Sequence, residues 1–96
     1  MNTTESGGAT AIHYAAIEGN LEMVRRLLAA GADVSIIDRK HSSTPLGWAT
    51  WGADYAKKST GDYPAAIRAI AGAGGRLNEN EHVPENAEAR AALNAR

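Results

Sequence analysis

Apolar positions recur at helical spacing from the first residues past the N-terminal tail. After Thr10, the residues Ile12, Ala15 and Ala16 fall on one face, and no breaker intervenes before Gly19, which predicts a helix of about two turns. Asn20 is placed to cap a second helix, with Glu22 near the positive end of its dipole. Leu21, Val24, Leu27 and Leu28 then form one apolar stripe, while Arg25 and Arg26 lie off it towards the C-terminal end. Gly31 ends this helix in the left-handed position that suits glycine. Two helices so short and so rich in alanine are marginal alone in water. Each needs a neighbour.

Recurrence along the chain supplies it. TAIHYA at residues 10–15 returns as TPLGWA at 44–49, an offset of 34. Val24, Leu27, Gly31 and Val34 return as Ile67, Ile70, Gly74 and Leu77, an offset of 43, so the second copy holds nine extra residues. A unit of turn, helix, helix with a period of about 33 residues marks a stacked repeat. Pro45 suits a helix start directly after a capping Thr44. The extra residues fall in an insert over 51–62, WGADYAKKSTGD, ahead of a helix that Asp62 or Thr60 would cap. A last stretch over 84–95, PENAEARAALNA, reads as one closing helix, with proline first, Glu85 and Glu88 early and Arg90 and Arg96 late. Its charges agree with a helix dipole. Residues 1–7 are small and polar and are expected to be a disordered tail.

Composition narrows the core and the function class. Alanine supplies 20 residues of the 44% hydrophobic fraction, Ile, Leu and Val together only 15, and there is no phenylalanine. That suits helices packed closely, not a thick sandwich of large side chains. The net charge of -1 gives no basic footprint for nucleic acid. No cysteine is present, which removes disulfides, thiolate metal sites and thiol nucleophiles. No run approaches the roughly 20 apolar residues of a membrane span, and the start lacks a secretory leader's apolar run. The expectation is a single cytoplasmic domain over 8–96.

The pattern over residues 8–38 resembles an ankyrin repeat closely. Gly8, Thr10, His13, Ala16, Gly19 and Asn20 are followed by Val24, Leu27, Leu28, Gly31, Ala32, Asp33, Val34 and Asp38 in that family's order and spacing. The second copy matches at its ends and departs in its middle, where Gly47 replaces His13, Ala53 replaces Gly19 and Arg76 replaces Asp33. The resemblance, to a short bacterial-type member, implies an all-α helix-turn-helix solenoid. Its parts would be repeat one over 8–40, repeat two over 41–78 with an extended inter-helix loop, and the closing helix. Turns between repeats would project as hairpin-like fingers. The complete finger, residues 32–43, is one residue longer than the family's, and His41, Ser42 and Ser43 replace its usual glycine.

The resemblance also implies what each residue is for. Thr10, His13, Gly31, Thr44, Pro45 and Gly74 would be structural, His13 bonding back to Thr10 to fix a helix start. Partner contacts in this family come from finger tips and from the exposed end of the first helix. Carried over, these are Ile37, Arg39, Lys40 and Ser43 on the finger, Ile17 and Glu18 on the first helix, and Trp51 with Tyr55 in the second copy. Trp51 is either an exposed anchor, as tryptophan often is at binding hot spots, or a residue covered by the insert. Tyr14 and Trp48, at matching positions, either pack together or against the finger. The three histidines, at 13, 41 and 82, show no metal-ligand spacing. The glycine-rich stretch at 72–75 follows a helix and lacks the Lys-Ser/Thr of a phosphate loop. No cofactor, metal or catalysis is expected. The sequence therefore predicts a non-enzymatic module that binds another protein, without nucleic acid or membrane. The alternative is a structural role, as the C-terminal fragment or cap of a longer ankyrin array or as a self-associating unit, since three or more repeats are normally wanted for stability.

Overall fold

The computed structural model describes residues 10–77, 81–85 and 87–94. The tail expected over 1–7, Asn78 at the end of the second copy and Ala95 at the end of the closing helix lie outside the described residues. Among the described residues five α-helices follow one another: α1 (Ala11–Ile17), α2 (Leu21–Ala29), α3 (Pro45–Trp51), α4 (Tyr63–Gly72) and α5 (Ala87–Asn94). No strand occurs among the described residues. α1 pairs with α2 and α3 with α4; α1 then lies against α3, α2 against α4, and α5 packs on α4. The architecture is all-α, a stack of helix-turn-helix pairs.

Local chemistry sets the helix ends. Asn20 Oδ1 accepts from Met23 N–H at 3.1 Å, and Asp62, not Thr60, caps α4 by accepting from Ala65 N–H at 3.2 Å. At the end of α2, Ala32 N–H reaches the Leu27 carbonyl at 2.9 Å and Gly31 N–H the Leu28 carbonyl at 3.0 Å. The same pair of bonds closes α4, from Gly75 to Ile70 at 2.9 Å and from Gly74 to Ala71 at 3.0 Å. Gly31 and Gly74 hold φ of +92° and +101°, as this double closure requires.

α1 ends likewise at Gly19, where φ is +63°. Ala53 stands at the matching position of the second copy, and a Cβ makes that left-handed stop costly. The chain does not stop there. It runs on as a π-helical turn over Gly52–Ala56 and reaches a left-handed residue only at Lys57, φ +45°. The insert expected as a loop over 51–62 therefore starts as helix, and Trp51 is the last residue of α3. The rest of it turns back over the end of α1: Asp62 N–H bonds the Gly19 carbonyl at 2.7 Å and Tyr63 Oη donates to the Ile17 carbonyl at 2.8 Å.

Among the described residues, half of the sixteen buried apolar residues in the core are alanine, which lets the helices approach closely. Ile12, Leu46, Ile67 and Ile70, each at most 1% exposed, supply much of the volume. Pro84 and Glu85, expected to open the closing helix, are not helical. Helix α5 begins at Ala87, seating Ala89 and Ala92 in the core, while Pro84 and Glu85 belong to a strap, residues 81–85, that crosses the side of α3.

That strap explains how α3 starts. In α1, Thr10 N–H donates to His13 Nδ1 at 3.0 Å. Gly47 occupies the histidine's place in α3, and the Glu81 carboxylate enters the vacated space to accept from Thr44 N–H through Oε1. Glu81 Oε2 lies 3.0 Å from Thr44 Oγ1, whose single proton is shared between it and the Arg76 carbonyl at 2.7 Å. A Cβ on Gly47 would sit 2.5 Å from Glu81 Cδ. Gly47→Ala should thus push the carboxylate out and leave Thr44 N–H without its acceptor. Amide hydrogen exchange at Thr44 is expected to speed up roughly tenfold or more, because a hydrogen bond to a charged group contributes about 1.5–3 kcal/mol. The alanine regains about 1 kcal/mol of helix propensity, so the net loss should be about 0.5–2 kcal/mol and the thermal midpoint should fall by several degrees. An unchanged Thr44 exchange rate would show that Glu81 does not cap this helix.

Candidate functional site

The finger, residues 32–43, has no sheet to lean on, and its order comes from polar side chains turned inward. At its start Asp33 Oδ1 accepts from Ser35 N–H at 2.8 Å. Its anchor is Asp38, which is 1% exposed. Asp38 Oδ1 accepts from Ser43 N–H at 2.9 Å and from Trp48 Nε1–H at 3.1 Å, and Oδ2 from His41 N–H at 2.7 Å. Ser42, at φ +53°, takes the left-handed turn and donates its N–H to the Asp38 carbonyl at 2.9 Å. Burial by itself would raise the Asp38 carboxyl. The bonds from Trp48, His41 and Ser43, with the nearby His41 ring, outweigh it and hold the group below its ordinary 3.8.

Trp48 is the hub on α3. Its ring meets His13, Tyr14 and His41 edge-on at centroid distances of 5.2, 5.3 and 5.8 Å. Tyr14 and Trp48 therefore pack on each other and Trp48 on the finger as well. Beneath them His13 is fully buried, with Nε2 3.2 Å from the Ser43 carbonyl. A carbonyl only accepts, so the proton sits on Nε2 and Nδ1 keeps its lone pair for Thr10 N–H. A second ring proton would face that N–H. Burial accordingly lowers the His13 pKa from 6.5, against smaller opposing effects of the Ser43 carbonyl and the Asp38 charge.

Between the finger's exit and α3 lies a groove of about 490 Å³, lined by Ile17, His41, Ser43, Gly47, Trp48, Trp51, Glu81 and His82. Its far wall is the strap, held down beyond Glu81 by contacts to α3 and the insert. Thr50 Oγ1 lies 2.7 Å from the His82 carbonyl. His82 Nε2 and Asp54 Oδ2 are 2.5 Å apart, and Asp54 Oδ2 also accepts from Glu85 N–H at 2.7 Å. Tyr55 then bridges strap and wall, its ring 5.0 Å from both His82 and Trp51. The second copy's insert thus supplies, in Asp54 and Tyr55, the contacts that keep the strap in place.

The eight candidate contact residues separate. Ile17, Ser43 and Trp51 line this groove; Trp51 is 44% exposed, and Tyr55 extends its aromatic surface. Glu18 lines a second, more polar hollow with Asn20, Lys58 and Asp62. Ile37, Arg39 and Lys40 are exposed on the finger, away from both linings. Sequence reasoning did not place His41, Trp48, Glu81 and His82 in a site. One signal was available: Gly47 in place of His13 leaves Thr44 N–H in need of another acceptor. Among the described residues no cluster of three metal-ligating side chains forms, and no helix is long and apolar enough to cross a membrane.

Residues 7–39 match the ankyrin repeat family. No curated protein and no solved structure matches the chain.

The buried His13 makes stability depend on pH in one direction. Below 6.5 the unfolded histidine takes up a proton that the folded one refuses, so the contribution is complete above 6.5 and declines as pH falls towards the lowered folded value. Asp38 acts further down, its contribution present above 3.8 and lost as pH falls through its depressed folded value. Imidazole nitrogen NMR at about pH 7 should show His13 neutral with its proton on Nε2. A proton on Nδ1, or titration at or above 6.5, would contradict the bonding to Thr10 and Ser43.

Proposed function

We propose that this chain, whose residues 7–39 match the ankyrin repeat family, docks another protein in the groove between the finger and α3 and performs no chemistry. Ankyrin repeats are generally protein–protein interaction modules and typically non-enzymatic. The observation that carries the choice of surface is the exposure of Trp51. It lines the groove as Trp48 does, and the Tyr55 ring lies 5.0 Å from it. Tryptophan is over-represented among residues that dominate binding energy, above all where neighbours exclude water around it. Ile17 and Ser43 complete the apolar and polar parts of the floor. Glu18, Ile37, Arg39 and Lys40 then form the periphery, contributing to encounter more than to affinity. The near-neutral charge favours a protein over nucleic acid, and the reading places the module in the cytoplasm, away from membranes.

A structural role as the closing end of a longer array has one observation in its favour. The strap and α5 cover the side of the α3–α4 pair that a third repeat would use. Self-association is the remaining structural alternative, and a mass that rises with concentration in sedimentation would support it.

The docking reading is tested by affinity capture with the intact chain and two variants. Trp51→Ala should weaken the captured partner about 30-fold or more, the equivalent of about 2 kcal/mol, with its thermal midpoint near that of the parent. Arg39→Ala combined with Lys40→Ala should cost well under 1 kcal/mol, as exposed charges usually do. The opposite ranking would move the site to the finger tip.

A further inference from the structure

The groove's lining has a chemistry more specific than an apolar slot. Its aromatic walls are the Trp48 and Trp51 indoles, with the His41 and His82 rings beside them, and the carboxylate in the lining belongs to Glu81. No lysine or arginine takes part in the lining. Behind the walls stand two more carboxylates, Asp38 on the Trp48 Nε1–H at 3.1 Å and Asp54 on His82 at 2.5 Å. A carboxylate on an indole N–H pushes electron density into the ring, and the face of an indole already attracts cations. An anionic side chain entering here would meet the Glu81 carboxylate, with two more behind the walls, whereas a cation would find indole rings and that carboxylate in its favour.

We infer that the groove receives an arginine side chain of the partner protein, its guanidinium against the tryptophan walls and directed at the Glu81 carboxylate. Arginine suits this lining better than lysine. Its guanidinium is planar and weakly hydrated, so it stacks on an indole at lower desolvation cost, and its N–H fork matches a carboxylate. The inference rests on the docking reading above and deepens it by stating the chemistry of the partner. It also gives the strap a second role, because Glu81 both caps α3 and supplies the charge at the groove.

The test is an NMR titration of the full chain with two acetylated, amidated pentapeptides, Ala-Leu-Arg-Leu-Ala and the same peptide with glutamine replacing arginine. The arginine peptide should shift the Trp48 and Trp51 indole N–H resonances and the Ser43 amide, with the glutamine peptide at least tenfold weaker. Glu81→Gln keeps an amide oxygen for Thr44 N–H while removing the charge. It should weaken the arginine peptide roughly tenfold with the thermal midpoint retained, and Glu22→Gln should leave binding unchanged. Should Glu81→Gln lower the midpoint, salt is the second readout. Raising ionic strength from about 0.02 M to about 0.5 M should weaken the arginine peptide and leave the glutamine peptide as it was. Equal shifts from the two peptides would overturn the arginine assignment and leave the docking reading standing. Absence of groove shifts from either peptide would also overturn it, and the Trp51→Ala capture then judges the docking reading separately.

Discussion

A buried carboxylate holds the finger and the groove beside α3 in shape. Asp38 gathers three N–H donors, two from the finger backbone and one from Trp48 on α3. An isolated carboxylate in such a place would be expensive to desolvate, and those donors make it tolerable. The consequence is mechanical. The finger is tied to α3 at Asp38 and to α1 through the Ser43 carbonyl at His13 Nε2, so it cannot shift without breaking bonds to both. Trp48 is oriented by the same carboxylate, and the wall of the groove follows from that orientation.

The two repeats solve one problem in two ways, and the difference creates the groove. The backbone N–H at the start of each first helix needs an acceptor. In α1 a histidine one turn on provides it; in α3 a carboxylate from a strap more than thirty residues away does. Recruiting the strap required Gly47 to leave space, and holding it required the insert to supply Asp54 and Tyr55. The π-helical turn, the strap and the exposed Trp51 are therefore one coupled departure from the regular repeat. The first repeat serves as the template against which that departure is built.

Much of the fold was legible in the sequence because it rests on local rules. Helical periodicity, the capping Asn20 and Asp62, Pro45 after Thr44, and Gly31 and Gly74 past the second helices each act within a few residues. The site was legible in part. Trp51 stood out as an aromatic at an exposed position, yet the groove beside it depends on Glu81 and His82, which arrive from far along the chain. No short-range pattern announces such a contact. The first copy joins its helices with Glu18 and Gly19 alone, so the extra residues of the insert read as a loop. It starts as helix because Ala53 lacks the conformational freedom of Gly19, a consequence that only comparison of the two copies exposes. Arg39 and Lys40 follow from the family's finger-tip positions, whereas the groove is walled mainly by rings.

The central claim is that the finger and Trp48 form a preset wall, fixed before any partner arrives. Amide and indole hydrogen exchange in the native chain tests it directly, read at Trp48 Nε1–H, His41 N–H and Ser43 N–H. Protection at these three sites comparable to that of the α2 and α4 amides is the result expected of a wall that opens only when the domain does. Exchange at the rates of unprotected groups, with α2 and α4 still protected, would contradict it and make the finger a segment ordered only by its partner.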